Sequence, residues 1–294
     1  MAVSMFGNAD QDGTKKLLEC FDLVCGTSTG GILSVGLSLG FTLSQARDIY
    51  LSMGSDIFQF GYSYFPARWA RYYTSGDFYN SALLKDCFTK HFGETKMATI
   101  SKKVFVTTTD ATSSHWKPSL VRSYTAPEGQ FEFIEDMSIP DALRTTSAAP
   151  TYFSPVNHDG KIYVDGGMVA NNPTEIGIFE AHSLWQYQHI NTIVSLGTGV
   201  PVDTKGSSNI LKLVNEIVNI ATDSELTHLR ITEWLKFANP TPNYFRISPP
   251  ELGSVKLDES DRNTLLDMER RTQLYMEAPE QKQLLQAIKI KLLQ

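Results

Sequence analysis

One serine near the start of the chain lies among glycines in a pattern that can support nucleophilic catalysis. Ser28 stands in the segment FDLVCGTSTGGILSVGLSLG, with Gly26 two positions before it and Gly30 two positions after it. In the pattern G-x-S-x-G, the small residues let a strand and the following helix approach closely, and the turn exposes the serine hydroxyl. We therefore take Ser28 as a candidate nucleophile. A glycine-rich turn without chemistry is the alternative interpretation.

The residues around Ser28 have the strand-turn-helix pattern that this chemistry requires. The run 21–25 is short and mostly apolar and is followed by a glycine, which predicts a buried strand. From Thr29 onward the apolar run is longer, and Gly40 supplies a stop signal, which predicts a helix. The amides at the start of such a helix point at negative charge that forms beside the serine. A strand before Ser28 and a helix after it favour the nucleophile over the plain turn.

A serine nucleophile needs a base, and Asp165 is the strongest candidate by position. It ends the apolar strand in GKIYVDGG, where Gly166 and Gly167 allow another backbone to come close. Functional groups of parallel α/β sheets gather at such strand ends. A carboxylate can accept the serine proton directly if its pKa rises toward neutrality. Asp110, at the end of VFVTTTD, is the rival carboxylate, and an Asx-type turn closed by Asp165 is the alternative without chemistry.

Histidine is the more common base for a serine nucleophile, and five histidines are candidates for that role. In α/β-hydrolases the order is serine, acid, histidine, which leaves His182, His189 and His228 after Asp165. None of these three is predicted to lie in a loop after a strand, so we expect surface or packing roles for them. His115 and His158 are predicted to lie in loops, but they precede the acid.

Strand and helix patterns alternate along the chain, which predicts a layered α/β fold with a largely parallel sheet. Pro173 is placed at a helix start, and Ser138 at a helix cap. The remaining predicted elements are helices over 43–58 and 77–93, strands over 102–111 and 119–126, a buried strand in NTIVSLGTG, and a mostly helical tail from 210 around the strand NYFRISP.

Composition narrows the possible functions. The 294 residues carry a net charge of −6, which argues against nucleic acid as a partner because phosphates would be met by a basic surface. The three cysteines have no metal-binding spacing, so a reducing, intracellular compartment is the simplest interpretation. There is no H-E-x-x-H, C-x-x-C or EF-hand pattern, so we expect no metal or other cofactor. The start MAVSMFGNAD lacks the pattern of a signal peptide.

The same sequence predicts at most peripheral contact with a membrane. The longest weakly polar run, 31–43, is too short to span a bilayer. Residues 56–79 contain ten aromatic residues and two arginines. Aromatic rings and arginines suit the head-group region of a bilayer, which makes Arg68, Trp69 and Arg71 candidates for membrane contact. Packing of the aromatic rings as core beneath a loop is the alternative.

Four segments together resemble the patatin-like phospholipases, and the helix ARDIYLSMGSDIF resembles their calcium-independent branch. The segments are GTSTGG (26–31), SAAPTYFSPV (147–156), YVDGGMVANNP (163–173) and SLGTG (195–199). The resemblance runs from about Leu17 to Ser248 and implies a three-layer patatin-like fold with a largely parallel central sheet flanked by helices. It also implies a Ser28–Asp165 dyad that cleaves phospholipid or other acyl-lipid esters without a metal. The motif and backbone residues of the site would be Gly26, Thr29, Gly30, Gly31, Gly166 and Gly167.

The resemblance also sets expectations for domains and location. Residues 1–250 would form an acyl hydrolase domain, and residues 251–294 a helical extension packed on the same domain. The protein would be cytoplasmic and peripheral on intracellular membranes. The family begins with a strand and a D-G-G-G-x-R-G loop that supplies oxyanion donors, whereas MAVSMFGNADQDG has only isolated glycines at Gly7 and Gly13. We therefore expect an incomplete N-terminus, the Thr29 amide as the one plausible oxyanion donor, and weak hydrolysis. A non-catalytic lipid-binding protein is the rival hypothesis.

Overall fold

The computed structural model describes residues 11–58, 77–127, 131–186, 188–199, 223–250, 252, 255 and 257–294. The membrane-contact candidates Arg68, Trp69 and Arg71 lie outside these described residues, as do the residues before Gln11. The helices are α1 (Gln11–Glu19), α2 (Thr29–Ser38), α3 (Leu43–Met53), α4 (Ser81–Phe92), α5 (Ile139–Thr146), α6 (Gly167–Ala170), α7 (Thr174–Leu184), α8 (Ser224–Leu235), α9 (Arg262–Glu277) and α10 (Pro279–Leu292). The strands are β1 (Val24–Thr27), β2 (Val104–Asp110), β3 (Lys117–Arg122), β4 (Glu132–Phe133), β5 (Val156–His158), β6 (Lys161–Asp165), β7 (Thr192–Leu196) and β8 (Asn243–Ile247).

Several helix boundaries follow from capping residues. The Ser138 side chain accepts the Asp141 amide at the start of α5, as the sequence predicts. Thr42 and Gln45 form a reciprocal capping box at the start of α3. The helix predicted over 43–58 ends as an α-helix at Met53 and continues as a π-helical turn over Gly54–Phe58.

The predicted α/β fold, a central sheet with helices around it, is confirmed, and its pairing is more mixed than the sequence suggested. β2 is the middle of a six-stranded sheet in which β1 runs parallel to it, whereas β3 and β6 run antiparallel. β5 pairs antiparallel with β6, and β4 pairs parallel with β3. β7 and β8 form a separate parallel pair. Short connections such as the two-residue turn between β5 and β6 require antiparallel neighbours, which apolar patterns alone do not reveal.

Alternate residues of β2 face two different layers of helices. Val104 and Val106 belong to a large buried cluster that includes Val35 of α2 and Leu143 of α5. Phe105, between them in the sequence, belongs to a second cluster with residues of β3, α6 and α7. Because successive side chains of a strand point to opposite faces, helices cover both faces of the sheet. This arrangement gives the three layers that the resemblance to the patatin-like phospholipases implies.

The arrangement of strands beside β2 brings two strand ends together. β3 pairs along one edge of β2, so β1 and β6 both pair with the other edge, one after the other. β1 is parallel to β2 and ends with Thr27 opposite Thr107, whereas β6 is antiparallel and ends with Asp165 opposite Thr108. The carboxyl ends of β1 and β6 therefore meet head to head. The residue that follows Thr27 is Ser28.

The C-terminal helices pack onto the rest of the protein. Leu285 and Ile288 of α10 form a buried cluster with Ile247 of β8. Arg47 of α3 forms an ion pair of 2.8 Å with Glu269 of α9. The domain boundary near residue 250 stays a prediction. In the described part of the chain, no helix has both the length and the apolar character that crossing a membrane would need.

Candidate active site

Ser28 occupies a strained turn between β1 and α2. Its backbone has φ 52° and ψ −123°, which places a non-glycine residue in the region of positive φ. A residue held in a sparsely populated conformation costs about 1 to 3 kcal/mol and persists only where the surrounding structure enforces it. A strand, a strained serine and a helix, in this order, are the structural context that the motif G-x-S-x-G requires.

The two glycines of the motif differ in what they do. A Cβ at Gly26 would lie 2.1 Å from the carbonyl oxygen of Gly30, so the turn cannot close with a side chain at Gly26. A Cβ at Gly30 would meet nothing within 4 Å. The close approach of strand and helix therefore depends on the first glycine. At Gly31, a Cβ would be 3.1 Å from side-chain atoms of Thr146 and Val106, which is tight but adjustable.

Threonines hold the Ser28 turn in place. The Ser28 amide donates to Thr146 Oγ1 over 2.9 Å, and Thr146 Oγ1 donates to the Thr107 carbonyl over 2.6 Å. Thr27 Oγ1 donates to the Ala170 carbonyl over 2.7 Å and lies 2.6 Å from Thr107 Oγ1. Sequence reasoning missed Thr107 and Thr146, because their partners are distant in the chain and threonine carries no signal of such a role.

The Asp165 carboxyl group is fixed at the end of β6 and is only 5% exposed. The Gly167 amide donates to Asp165 Oδ1 over 2.6 Å, and the Asp165 amide donates to the Ala148 carbonyl over 2.9 Å. A Cβ at Gly166 would lie 2.4 Å from the Thr107 carbonyl oxygen. Gly166 thus allows the close approach of backbones that the sequence predicts after Asp165. The Asx-type turn that Asp165 closes is therefore present in the structure.

Burial raises the pKa of Asp165 to about 6, although the hydrogen-bonding interactions of its carboxylate with the Gly167 amide and the Ser28 side chain act in the opposite direction. The Ser28 side chain is therefore within interaction range of the carboxylate. A carboxylate with such a pKa is ionised at neutral pH and still basic enough to accept a proton. This pair of residues can carry out general-base activation of a hydroxyl.

The rival carboxylate, Asp110, lies in a different environment. Burial acts to raise its pKa, but hydrogen bonds from Thr112 and the positive charges of Lys161 and Lys117 outweigh burial and lower it. Its Oδ1 accepts the Thr112 amide over 2.9 Å, and its Oδ2 is 3.7 Å from the Lys161 ammonium group. Asp110 is therefore a weak base that is stabilised in its ionised form by neighbouring lysines.

A cleft opens beside Ser28, and its described lining is mostly apolar. None of the five histidines considered above is among these lining residues, and His228 hydrogen-bonds instead to Tyr244 over 2.9 Å. Two lining residues, Leu257 and Glu259, come from the C-terminal segment, which sequence reasoning did not connect with the site. The lining residues are Ser28, Thr29, Ile32, Tyr50, Met53, Gly54, Phe58, Leu84, Ser147, Ala149, Tyr152, Phe153, Leu257 and Glu259.

Among the described residues of the site, those at the start of α2 are suited to binding a negatively charged group. Thr29 is the first residue of this helix and lines the cleft. Amides in the first turn of a helix have no intrahelical partner and favour anions. Within the described ranges, no group of three or more His, Cys, Asp or Glu side chains is placed to hold a metal ion.

Comparison with known proteins identifies the family. The curated relatives include calcium-independent phospholipase A2-gamma of rabbit (Oryctolagus cuniculus), which is 30% identical over 91% of this chain and 35% of its own length. The 85/88 kDa calcium-independent phospholipase A2 of rat is 30% identical over 88% of this chain and 35% of its own length. Patatin-like phospholipase 1 of Plasmodium falciparum is 28% identical over 89% of this chain and 42% of its own length.

The chain thus spans between 35% and 42% of the length of these relatives. The family model described as Patatin-like phospholipase matches residues 3–178, which is more than half of the chain and includes both Ser28 and Asp165. The chain belongs to the patatin-like phospholipase family.

Proposed function

We propose that this protein is a lipid acyl hydrolase that cleaves carboxylic esters of phospholipids, with Ser28 as nucleophile and Asp165 as base. The observation that carries the proposal is the meeting of two strand ends beside β2. One end presents a serine in a strained turn, and the other presents a buried carboxylate whose pKa is raised to about 6. The names of the relatives support a phospholipid as the substrate.

The proposed reaction proceeds through an acyl-enzyme. Asp165 accepts the proton of the Ser28 hydroxyl while the Ser28 oxygen forms a bond to the ester carbonyl carbon. The carbonyl oxygen becomes an oxyanion beside the start of α2, where the Thr29 amide donates to it. When the oxyanion collapses, the bond to the alcohol breaks, and the leaving lysolipid oxygen takes the proton from Asp165.

A water molecule completes the cycle. Asp165 accepts one proton of the water while its oxygen attacks the acyl carbon. The bond between Ser28 and the acyl carbon then breaks, the Ser28 oxygen recovers the proton from Asp165, and a fatty acid leaves. In this scheme one carboxylate serves both half-reactions, and no metal takes part.

The lining of the cleft supports a lipid substrate. Ile32, Met53, Leu84 and Phe153 offer apolar surface to an acyl chain next to the nucleophile. Contact with the surface of a membrane, from which such a substrate would be drawn, is part of the same proposal.

The test is covalent labelling with a fluorophosphonate, combined with hydrolysis of a panel of phospholipids. Ser28→Ala should abolish both, and Ser114→Ala, an exposed serine in a loop, should change neither. Hydrolysis should also persist in the presence of a chelator. Labelling that survives Ser28→Ala, or a requirement for added calcium, would contradict the dyad. Labelling without hydrolysis of any acyl lipid would favour the non-catalytic lipid-binding protein.

A further inference from the structure

The described residues leave one buried hydroxyl group of the cleft beside Ser28 without a hydrogen bond. Ser147 is 8% exposed and lines the cleft, and its Oγ is buried without a hydrogen-bond partner among the described residues. Buried polar side chains are nearly always hydrogen-bonded, because an unsatisfied group loses its bonds to water without replacement. Because Ser147 lines the cleft, a molecule bound there can supply the missing partner.

The neighbours of Ser147 in the chain show where a group bound to its hydroxyl would lie. Thr146, immediately before it, accepts the amide of Ser28 through its side chain over 2.9 Å. Ala148, immediately after it, accepts the amide of Asp165 through its carbonyl over 2.9 Å. Ser147 therefore lies between the two residues that anchor the proposed nucleophile and the proposed base. A group bound to this hydroxyl would lie close to the reacting atoms.

The backbone at Ser147 is held firmly. Its amide donates to the Leu143 carbonyl over 3.2 Å at the end of α5, and its carbonyl accepts the Ala149 amide over 2.9 Å. Its backbone groups are thus satisfied, while the side chain is not. A donor whose backbone is fixed before substrate binds needs little reorganisation when charge develops, which is the property of an effective oxyanion donor.

We propose that the Ser147 hydroxyl donates a hydrogen bond to the carbonyl oxygen of the ester substrate and to the oxyanion formed from it. This proposal rests on the proposed function of Ser28 and adds a side-chain donor to the Thr29 amide. The cleft holds the acyl group of the substrate, and the carbonyl oxygen lies between the start of α2 and the segment 146–148. Ser147 accepts no proton in this role, and its own proton stays on its oxygen throughout.

The experiment compares Ser147→Ala with a matched control. Ser119 is fully buried and its hydroxyl also has no hydrogen-bond partner among the described residues, but it lies on β3 and is not among the described lining residues of the cleft. With a soluble short-chain ester, Ser147→Ala should lower kcat about 100-fold and raise KM no more than about fivefold, because the hydrogen bond to the ester carbonyl strengthens in the transition state. Ser119→Ala should change kcat/KM less than about twofold.

The melting temperature separates this role from a structural one. Removing an unsatisfied hydroxyl should leave the melting temperature of Ser147→Ala unchanged or higher. Ser147→Thr, which keeps the hydroxyl, should restore most of the activity. A kcat/KM of Ser147→Ala within about threefold of the parent, or equal losses in Ser147→Ala and Ser147→Thr, would overturn the proposal.

A binding measurement keeps the proposal testable if the chain hydrolyses no ester. A long-chain alkyl methyl ketone presents a carbonyl to the same donor but cannot be cleaved. Its affinity for Ser28→Ala should fall about fivefold when Ser147→Ala is added, as expected for loss of one hydrogen bond. An unchanged affinity would contradict the Ser147 proposal alone. Absence of labelling at Ser28 in the parent chain would contradict the proposed function.

Discussion

Asp165 and Asp110 lie on neighbouring strands of one sheet, and their surroundings push their pKa values in opposite directions. They are 5% and 4% exposed, and β6 and β2 pair so that Asp165 faces Thr108 and Asp110 faces Tyr163. The two side chains are thus almost equally inaccessible to solvent and close in register, but Asp165 lies deep in the protein, whereas Asp110 lies near its surface. Burial raises the pKa of Asp165 to about 6, whereas hydrogen bonds and lysines lower the pKa of Asp110.

The two pKa values differ because the carboxylates lie at different depths and because different groups compensate their burial. Asp110 has the Lys161 ammonium group 3.7 Å away, and Lys161 and Lys117 also pair with Glu132. In the described part of the chain, no cation contributes to the pKa shift of Asp165, whose carboxylate interacts with one amide and one hydroxyl. A carboxylate that lies deep in the protein without a neighbouring cation keeps a raised pKa, which is the property that a general base needs. We therefore expect the carboxylate at the end of β6 to act in catalysis and the carboxylate at the end of β2 to act in structure.

The largest expected effect separates the two carboxylates by activity. Asp165→Asn should lower kcat/KM for a short-chain ester about 1000-fold or more, because the base is lost while the shape is kept. Asp110→Asn should change kcat/KM less than about threefold, because its carboxylate acts in a salt-linked corner. If the Asp110 variant were the inactive one, the assignment of the base would have to be exchanged.

The next effect concerns the turn that presents Ser28 to Asp165. Gly26→Ala should lower the free energy of unfolding by roughly 3 kcal/mol or more, since its Cβ would overlap the Gly30 carbonyl. Gly30→Ala is the matched control and should change it by less than about 1 kcal/mol, because its Cβ meets nothing nearby. Equal destabilisation of both variants, measured by chemical denaturation, would show that the turn is built differently.

The raised pKa of Asp165 also predicts a dependence of stability on pH. Its folded pKa of about 6 lies above the model value of 3.8, so folding favours the protonated form. The associated stability is fully present below about pH 4 and is lost as pH rises through 6. The side chain of Asp165→Asn cannot ionise. The free energy of unfolding of this variant, measured relative to that of the parent, should therefore increase by up to roughly 3 kcal/mol between pH 4 and pH 8. If the stability difference between variant and parent stays constant with pH, the pKa of the Asp165 carboxyl group is not raised.

The smallest expected effects concern the histidines, which the dyad does not need. Each single change to Gln should alter kcat/KM less than about threefold, and the His228 change should cost about 1 kcal/mol of stability through its bond to Tyr244. One variant as inactive as Ser28→Ala would replace the dyad by a triad. The variants are His115→Gln, His158→Gln, His182→Gln, His189→Gln and His228→Gln.

Local patterns in the sequence predicted the parts of the site, but not how they meet. The strand before Ser28, the helix after it and the strand ending on Asp165 follow from apolar runs and glycines close in the chain. The head-to-head meeting of β1 and β6 depends on the antiparallel pairing of β6 with β2, which joins residues far apart in sequence. Strand direction is fixed by such long-range pairing and leaves little local trace.

The supporting residues were hidden for a similar reason. Thr146 and Ser147 end a helix whose cap was predicted, yet only the tertiary structure brings them between Ser28 and Asp165. Leu257 and Glu259 reach the cleft from a segment about 230 residues after the nucleophile. The pKa of Asp165 also depends on burial, which sequence alone does not determine for a strand end.

The most direct test of the central claim is the pH dependence of fluorophosphonate labelling at Ser28. If Asp165 is the base, the labelling rate should rise about tenfold per pH unit below 6, turn near pH 6 and stay level above it, and the same profile should appear in His228→Gln. A profile with no turn near pH 6, or one whose turn disappears in a histidine variant while Asp165→Asn keeps it, would contradict a Ser28–Asp165 dyad.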